Sequence, residues 1–396
     1  MNYFQRRLVA ISCGLCSALL AISSFAQSNQ STADTTAAAN KFLATLDEAQ
    51  RGQLVFDFKD DAQRKRWSNL PVGSFPRAGL RMGDLTQPQR DAALAVLAAA
   101  LGPMGYEKTI QIVEADEALR TQGGGRGRRG EPGRGEPGRG EPGRGEAGRG
   151  DPGAGRGDPG DGGQGEGRRG EGRRGGRGGR GGTNFGRDNY FISFLGKPST
   201  TEPWMIQFGG HHLGLNITLA AEQGTLAPSH TGAQPALYEL NGKLVRPLGR
   251  EVDKSFALIS SLDEAQRAKA ILGFQVRDMV LGPGRDGQTI QPEGIKASDL
   301  NEKQREMLLD LASEWTGIMR DSVAAAKMDE MKKNVNETWF AWSGPTEKDA
   351  AAYFRIQGPT VHIEYAPQRM GGDAGNHIHT IYRDPTNEYG KKWWTQ

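Results

Sequence analysis

Cysteine is almost absent from this 396-residue chain, since both of its cysteines, Cys13 and Cys16, lie in an apolar run near the N-terminus. We expect that run to be removed as part of a secretory signal, which leaves a mature chain without cysteine. Disulfides, cysteine nucleophiles and cysteine metal ligands are thereby excluded. Stability must then come from an apolar core, which a chain of this length can supply.

Three signatures of common enzyme classes are also absent. The chain has no phosphate-binding Gly-Lys-Ser loop, no Gly-x-Ser-x-Gly nucleophile elbow and no His-Glu-x-x-His helix. The Gly-x-Gly runs within residues 123–182 follow no predicted strand, so they are not dinucleotide-binding fingerprints. The reaction class must therefore be sought in residues outside these standard motifs.

The N-terminus is typical of an exported protein. Arg6 and Arg7 precede an apolar run at 8–22, and the small residues Ser24 and Ala26 flank Phe25. This pattern predicts a signal peptide at 1–26, cut after Ala26, and a periplasmic or secreted mature chain. The run of about 15 apolar residues is shorter than the roughly 20 that span a bilayer. We therefore expect no transmembrane segment after cleavage.

A Gly/Arg/Glu-rich insert accounts for the basic character of the chain. Residues 123–182 contain 14 arginines and 9 acidic residues, and without this surplus and the two signal arginines the net charge of +3 becomes −4. The insert lacks aromatic and branched aliphatic residues, so we predict a disordered segment at 123–183. Its glycines do not keep the collagen period. We expect no nucleic-acid partner, because no aromatic residue is present to stack on bases. Contact with a polyanion or the cell envelope stays open.

An internal duplication organises the rest of the chain. The word LDEAQR occurs at 46–51 and again at 262–267, preceded by Thr45 or Ser261 and with a glutamate three places after that residue. This is a capping-box pattern, so we predict that both hydroxyl residues cap helices. A second match, 84–90 with 299–305, predicts helices capped by Thr86 and Asn301. The second of these helices carries an apolar stripe at helical spacing, namely Leu300, Met307, Leu311, Trp315 and Ile318.

A third match lies beyond the insert, where 194–209 parallels 342–359. Both stretches are rich in aromatic and β-branched residues around a polar turn, which predicts paired strands. We therefore predict an α+β fold, a tandem duplicated helix-loop-helix plus β-hairpin unit about a pseudo-twofold axis, with pockets where the halves meet. The predicted segments are the signal peptide (1–26), the first half of repeat 1 (27–122), the disordered insert (123–183), the second half of repeat 1 with a histidine motif (184–250) and repeat 2 with a C-terminal histidine motif (251–396).

Histidines are few, and five of the six lie in two short stretches that end the two repeats. His377 and His379 are two apart, so on a strand their imidazoles point to the same side. His362 and Glu364 share that spacing, and the third match places His212 opposite His362. Imidazole pairs with a carboxylate suit Zn, Cu or Fe, so we predict a divalent metal held by His212, His362, His377 and His379.

Two other interpretations of these histidines stay open. They can form a metal-free catalytic or ligand-binding site, or they can bond backbone groups at the repeat interface without further function. His211 and His212 are adjacent, so on a strand only one of them reaches a given site. Arg383 either pairs with Asp384 or binds a carboxylate or phosphate of a substrate through its planar fork of donors.

Long stretches of the chain resemble a known family. The segments GGHHLGLNIT, LVRPLGREVDKSFALISSLDEAQR, WFAWSGP, FRIQGPTVHIEYAPQ and NHIHTIYRDPTNEYG are similar to the secreted bacterial family known as domain of unknown function 3500. The resemblance covers nearly all of the mature chain except the insert. It implies that the two histidine stretches and the Arg-Asp-Pro-Thr-Asn segment distinguish the family, and it implies no particular reaction.

The sequence favours a metal-dependent enzyme, a hydrolase rather than an oxidase, that acts on a small molecule, a glycan or a peptide. In this hypothesis Glu364 is the general base that activates a metal-bound water, and Arg383 anchors an anionic substrate group. The alternative is a non-catalytic binding module for a glycan, peptide or small molecule. The metal hypothesis requires imidazole nitrogens of the two stretches to lie within about 6 Å of each other, and separations above about 10 Å would contradict it.

Overall fold

The computed structural model describes residues 31–124, 184–368 and 373–394. The predicted signal peptide lies outside these ranges, as does the predicted insert apart from its first two residues, which belong to a helix that extends to Gly124. The first half of the chain forms α1 (Thr32–Ala44), α2 (Glu48–Leu54), β1 (Val55–Phe56), α3 (Asp61–Arg64), β2 (Leu80–Arg81), α4 (Gln87–Ala100), α5 (Pro103–Gly124), β3 (Phe191–Leu195), β4 (Trp204–Gly210), β5 (Leu213–Ala220), β6 (Gln223–Thr225), β7 (Ser229–Ala233), β8 (Tyr238–Leu240) and β9 (Lys243–Val245).

The second half contains helices and strands in a similar order. They are α6 (Gly249–Ser261), α7 (Glu264–Ala270), β10 (Ile295–Lys296), α8 (Glu302–Thr316), α9 (Asp321–Lys333), β11 (Trp339–Ser343), β12 (Tyr353–Gly358), β13 (Val361–Pro367) and β14 (Ile378–Arg383). Helices together with a mixed sheet confirm the α+β class. Within the ranges that the structure describes, no helix has both the length and the apolar character needed to cross a bilayer.

A twelve-stranded sheet forms the centre of the described fold. Its strands follow the order β1-β3-β4-β5-β7-β14-β13-β12-β11-β10, with β2 paired to β3 and β6 paired to β5. The β1–β3 pair is parallel, and the other described ladders of this sheet are antiparallel. The β7–β14 ladder joins the two halves of the chain in the middle of the sheet. It sets residues 229–233 directly against residues 378–382.

One face of the sheet packs against helices. Helices α1, α4, α6 and α8 contribute buried residues to the large apolar core on this side. Trp315 of α8 is buried there, and its indole nitrogen donates a hydrogen bond of 2.9 Å to the hydroxyl of Thr380 on β14. The Thr380 hydroxyl in turn lies 2.7 Å from that of Thr231 on β7. Since strand side chains alternate, the residues on either side of Thr380 face away from the helices.

The opposite face is covered by loops and by the C-terminal segment. Trp67 and Tyr389 belong to a second, smaller apolar cluster on this side, together with Ile381 of β14. The Trp67 indole donates a hydrogen bond of 2.8 Å to the Tyr389 hydroxyl, which itself donates to Asp286. This chain of bonds ties a loop of the first half, a loop of the second half and the C-terminal segment over the same face.

The helices at the repeated LDEAQR words begin two residues later than the sequence predicts. Asp47 and Asp263 are the capping residues, and each carboxylate accepts a 2.8 Å hydrogen bond from the amide three residues on. The predicted caps at Thr45 and Ser261 are therefore wrong. Both hydroxyls donate instead to carbonyls three residues back, at the ends of α1 and α6. A hydroxyl can satisfy a last-turn carbonyl, whereas the acceptor-only carboxylate suits a helix start.

The second pair of predicted helices is confirmed as α4 and α8. The Asn301 side chain accepts from the Gln304 amide at 2.9 Å, and the Gln304 side chain accepts from the Asn301 amide at 3.0 Å. Gln89 makes the same return bond to the Thr86 amide at 3.0 Å. Helix α4 ends at Ala100, and the next helix begins at Pro103.

The predicted paired strands form as β3–β4 and β11–β12. The following hairpins, β4–β5 and β12–β13, correct one detail. Gln207 pairs with Asn216, and Gln357 pairs with His362, so His362 corresponds to Asn216 in hairpin position. The predicted correspondence of His212 with His362 is wrong because the β4–β5 hairpin continues two residue pairs further before its turn. His212 lies in that turn, with φ of 62°.

Candidate metal centre

The β14 strand presents two histidines to the loop-covered face. His377 has an extended backbone immediately before β14, and His379 is the second residue of the strand. Because they are two residues apart in extended chain, both imidazoles lie on the same side of the sheet. The spacing of two residues therefore places both imidazoles on one side, as predicted.

His212 reaches the same place from the turn between β4 and β5. Its positive φ places it in the left-handed region, which non-glycine residues seldom adopt. The His212 amide donates to the Asn69 carbonyl at 3.1 Å, and the Tyr190 hydroxyl donates to the neighbouring His211 carbonyl at 2.7 Å. The turn is thus held from two sides, which fixes the direction of the His212 ring.

The three imidazoles converge on one point. The Nε2 atom of His377 lies 2.9 Å from Nε2 of His212 and 3.1 Å from Nε2 of His379. Ligand atoms of all three residues lie within 4.8 Å of one another, and all three side chains are buried. The prediction that two histidine stretches separated by 165 residues meet in space is confirmed.

Hydrogen bonds between the three imidazoles cannot satisfy all of their Nε2 atoms well. An imidazole nitrogen offers either one lone pair or one N–H, both in the plane of the ring. The Nε2 atom of His377 has two imidazole nitrogens at hydrogen-bond distance, and it cannot pair well with both. A metal ion accepts all three lone pairs at once, and in a tetrahedral site with bonds of about 2.0–2.1 Å the ligand nitrogens are about 3.3 Å apart. The cluster could hold a metal ion.

Burial keeps His212 and His379 uncharged. Desolvation lowers the pKa of His212 and of His379 well below the usual histidine value, and repulsion from the neighbouring imidazoles lowers each further. Neutral rings have a free lone pair, which is the form that binds a metal. The electrostatics of the cluster therefore agree with its geometry.

A buried Asp–His pair stands beside His212. The Asp116 carboxylate on α5 lies 2.6 Å from Nδ1 of His211, and it also accepts a 2.8 Å hydrogen bond from the Gly186 amide. The ring centroids of His211 and His212 are 3.6 Å apart. Asp116 was not among the residues singled out from sequence, because nothing in the spacing of a helix residue 95 positions away indicates this contact.

His362 and Glu364 contact each other rather than the three-histidine cluster. His362 Nε2 lies 2.8 Å from the Glu364 carboxylate, which also accepts from the Tyr353 hydroxyl and from the Val280 and Leu281 amides. Burial by itself would raise the pKa of Glu364, but the hydrogen bonds from His362, Tyr353 and the backbone outweigh it and lower the pKa below its usual value. This carboxylate is ionised and fully engaged.

Arg383 is engaged in the same region. Its guanidinium donates to the carbonyls of Leu281 and Gly282 at 2.7 and 3.0 Å and forms an ion pair with Glu388. Asp384, the alternative partner considered from sequence, pairs with Lys327 at 2.6 Å. Arg383 and His362 line a separate cavity of about 190 Å³ at the loop around 281–290.

The sixth histidine, His230, is the one that sequence analysis left aside. It lies on β7 opposite Ile381, and its ring centroid is 5.2 Å from that of His379. The side chain is fully buried, and neither ring nitrogen makes a hydrogen bond with any residue that the structure describes. Burial, reinforced by repulsion from His211 and His377, lowers the pKa of His230 to about 3. Only the β7–β14 pairing, which sequence does not reveal, brings it to the cluster.

The fold and the site define an α+β protein with a buried three-histidine cluster at the centre of its sheet. The chain belongs to the family described as "Protein of unknown function (DUF3500)", whose profile matches residues 28–391. No curated protein and no solved structure matches the chain. The family resemblance stated from sequence is thus confirmed, and function has to be argued from the site itself.

Proposed function

We propose that this protein is a metal-dependent enzyme, a hydrolase in preference to an oxidase, with a Zn, Cu or Fe ion held by His212, His377 and His379. The observation that supports this most directly is the convergence of three imidazole Nε2 atoms, with neighbouring pairs 2.9 and 3.1 Å apart. Three nitrogen ligands are a common protein set for catalytic zinc, and they leave one coordination position for water or substrate.

The small exposed fraction of the cluster lies at His377 and His379. His377 and His379 keep 8 % and 9 % of their surface exposed, whereas His212 keeps 1 %. We propose that a small molecule would approach from the side of β14, where this remaining exposure lies. Asn69 is half-buried on this approach, with its amide nitrogen 3.4 Å from Nδ1 of His379. A bound ion would polarise a water or a carbonyl there.

The roles assigned from sequence to Glu364 and Arg383 need revision in this proposal. Glu364 already accepts hydrogen bonds from Tyr353, Val280 and Leu281, so it is a poor base for a water at the cluster. Arg383 spends its donors on two loop carbonyls and an ion pair. We propose that both residues hold the loop around 280–282, and that His362 acts with them rather than as a metal ligand.

We also propose that the chain arose by duplication of one unit, with the halves related by a pseudo-twofold axis through the β7–β14 ladder. Two side-chain bonds support this. Gln89 donates to Gln50 at 2.9 Å in the first half, and Gln304 donates to Gln266 at 2.8 Å in the second. The strand order is also mirrored about the ladder, with β5, β4 and β3 on one side and β13, β12 and β11 on the other.

Export is part of the proposal and rests on the N-terminal sequence alone. We propose cleavage after Ala26 and a periplasmic or secreted mature protein, with the arginine-rich insert free to contact a polyanion or the cell envelope. N-terminal sequencing of the protein recovered outside the cytoplasm tests the cleavage. An intact N-terminus on that protein would contradict it.

Metal analysis is the first test of the centre. Full-length chain, purified without chelators or added metal, should contain about one Zn, Cu or Fe ion per molecule, the stoichiometry of a single three-ligand site. The double variant His377→Ala/His379→Ala should lose it. His362→Ala is the matched control, because it removes an equally buried imidazole elsewhere and should keep the ion. A wild type that takes up no metal on incubation with any of the three ions would refute the proposal.

Catalysis needs its own measurement. Metal-loaded protein should hydrolyse at least one member of a panel of chromogenic esters, phosphoesters, glycosides and peptides, and chelation should abolish the activity until metal is restored. The same double variant should be inactive, and His362→Ala should stay active. Hydrolysis that persists in the double variant would show that the cluster is not the active site.

A specific cavity favours binding without catalysis as the second candidate. A cavity of about 330 Å³ lies between β6, α9 and the C-terminal segment, away from the histidines, and is lined by Gln223, Lys327, Asp384 and Trp393 among others. An aromatic ring with polar groups in a cavity of this size suits a sugar or another small ligand. If the metal test fails, glycan-array binding that is lost in Trp393→Ala would support this candidate.

A further inference from the structure

We propose that His230 binds whatever occupies the open coordination position of the metal, as a hydrogen-bond partner and not as a fourth metal ligand. This inference rests on the proposed metal centre and goes beyond it by assigning a residue to the reacting molecule. The starting observation is that a fully buried imidazole has no hydrogen bond from either nitrogen to the described residues. A buried polar group left unpaired costs about 1–3 kcal/mol, and an apolar ring would pack in its place without that cost.

The direction of the His230 ring points to the cluster. On β7, Gly232 pairs with His379, and a side-chain carbon placed on Gly232 would lie 3.1 Å from Nε2 of His230 and 3.3 Å from the Cβ of His212. The space above Gly232 is therefore bordered by His230 and His212. The His230 and His379 rings meet at 70° with their centroids 5.2 Å apart. The unpaired Nε2 thus faces the side of the site where His212 and His379 stand.

Distance decides between a ligand and a hydrogen-bond partner. The nitrogens of His212, His377 and His379 group within 4.8 Å of one another, and His230 is not a member of that group. A fourth tetrahedral ligand would lie about 3.3 Å from each of the others. A group that bonds to a metal-bound atom stands farther out, by the roughly 2.8 Å length of a hydrogen bond. The position of His230 fits the second case.

The chemistry that follows is simple. A neutral imidazole can accept a hydrogen bond from a water in the open position or donate one to an anion there. Both ring nitrogens of His230 are unpaired among the described residues, whereas Glu364 already accepts hydrogen bonds from Tyr353 and two backbone amides, so His230 is better placed to make this hydrogen bond. We therefore assign to His230, and not to Glu364, the hydrogen bond to the molecule in the open position.

A cobalt-substituted protein tests this without knowledge of the substrate. Full-length chain is stripped with a chelator and titrated with Co²⁺, whose visible absorption reports both metal uptake and binding of azide at the open position. His230→Phe keeps the ring and removes both nitrogens. We expect its Co²⁺ dissociation constant to stay within about threefold of wild type, and its azide dissociation constant to rise about tenfold or more, the loss of one hydrogen bond to a charged group.

Two further variants make the result specific. His362→Phe removes an equally buried imidazole outside the cluster and should leave both dissociation constants unchanged. His230→Gln restores a donor and should recover part of the azide affinity. If His230→Phe binds azide as wild type does, the inference is wrong and the metal centre stands. If His230→Phe instead loses Co²⁺ affinity more than about tenfold, His230 helps to hold the metal itself rather than the molecule bound to it, and the inference is again wrong. A wild type that binds no Co²⁺ removes the centre and the inference together.

Discussion

Glu364 accepts hydrogen bonds from two backbone amides, a tyrosine hydroxyl and an imidazole, in a site with no exposure to solvent. Such a set of donors stabilises the charged carboxylate, so removal of the charge leaves buried donors without their best acceptor. The residue thereby holds the loop at 280–281 on the sheet. Its contribution is to stability, and it depends on pH.

The Glu364→Gln variant should therefore be less stable than wild type at pH 7 by about 1–3 kcal/mol, the usual cost of an unsatisfied buried group. The folded-state pKa lies below the ordinary value of 4.5, so the wild-type advantage is complete above that value. It should shrink as the pH falls through the lower folded-state pKa, where the carboxylate takes up a proton. Urea denaturation at pH 7 and at pH 3 measures both effects.

Glu239→Gln is the control for this experiment, since Glu239 is exposed on β8. The stability of this variant should be close to that of wild type at either pH. A difference between wild type and Glu364→Gln that stays constant from pH 7 to pH 3 would show that the carboxylate charge is not the stabilising feature.

At the level of secondary-structure elements, the helix caps give a direct prediction about stability. Asp47 and Asp263 occupy equivalent caps and make bonds of equal length, so Asp47→Ala and Asp263→Ala should each destabilise the protein by about 1 kcal/mol. Thr45→Ala and Ser261→Ala remove only a last-turn bond to a carbonyl and should cost less. Chemical denaturation of the four variants gives the comparison. Larger losses of stability in Thr45→Ala and Ser261→Ala would show that Thr45 and Ser261 are the capping residues.

The proposed metal ion should also stabilise the whole molecule, because its ligands lie 165 positions apart in the chain. His212 precedes β5, His377 immediately precedes the last strand, and His379 belongs to that strand. An ion that binds only the folded state adds about 2.7 kcal/mol at a free concentration one hundred times its dissociation constant. Thermal melts with and without excess Zn²⁺ should show a rise in Tm that chelation reverses. His377→Ala/His379→Ala should melt at one temperature under both conditions, and an equal rise in that variant would place the binding elsewhere.

The insert should be dispensable for the fold. The described chain resumes at residue 184 against the same helix that it left, since the Gly186 amide bonds to Asp116 of α5. A surface loop costs only about 0.6 kcal/mol per doubling of its length. Replacement of residues 125–182 by a short Gly/Ser linker should leave Tm within a few degrees. Aggregation or a large fall in Tm of that variant would show that the insert is structural.

Local sequence patterns determined much of this protein. A period of two on β14 placed His377 and His379 on one side, and the repeated words located the paired helices and hairpins. These features depend on neighbours only a few residues apart, which explains why they could be predicted. The meeting of the two histidine stretches was also predicted, but the hairpin correspondence on which that prediction rested is not the one in the structure, since His362 corresponds to Asn216 and not to His212.

Tertiary structure alone decided which groups surround the cluster. The β7–β14 ladder brings His230 beside His379, and the packing of α5 brings Asp116 to His211. Tertiary packing also brings Glu364 to a loop more than 80 residues away in sequence, and no spacing rule predicts this contact. Strand order and loop placement depend on the free energy of the whole chain. Buried polar groups find hydrogen-bond partners that are distant in sequence, so local patterns do not predict them. The sequence alone therefore identified the His211-His212 and His377/His379 pairs. It did not identify the residues that contact them.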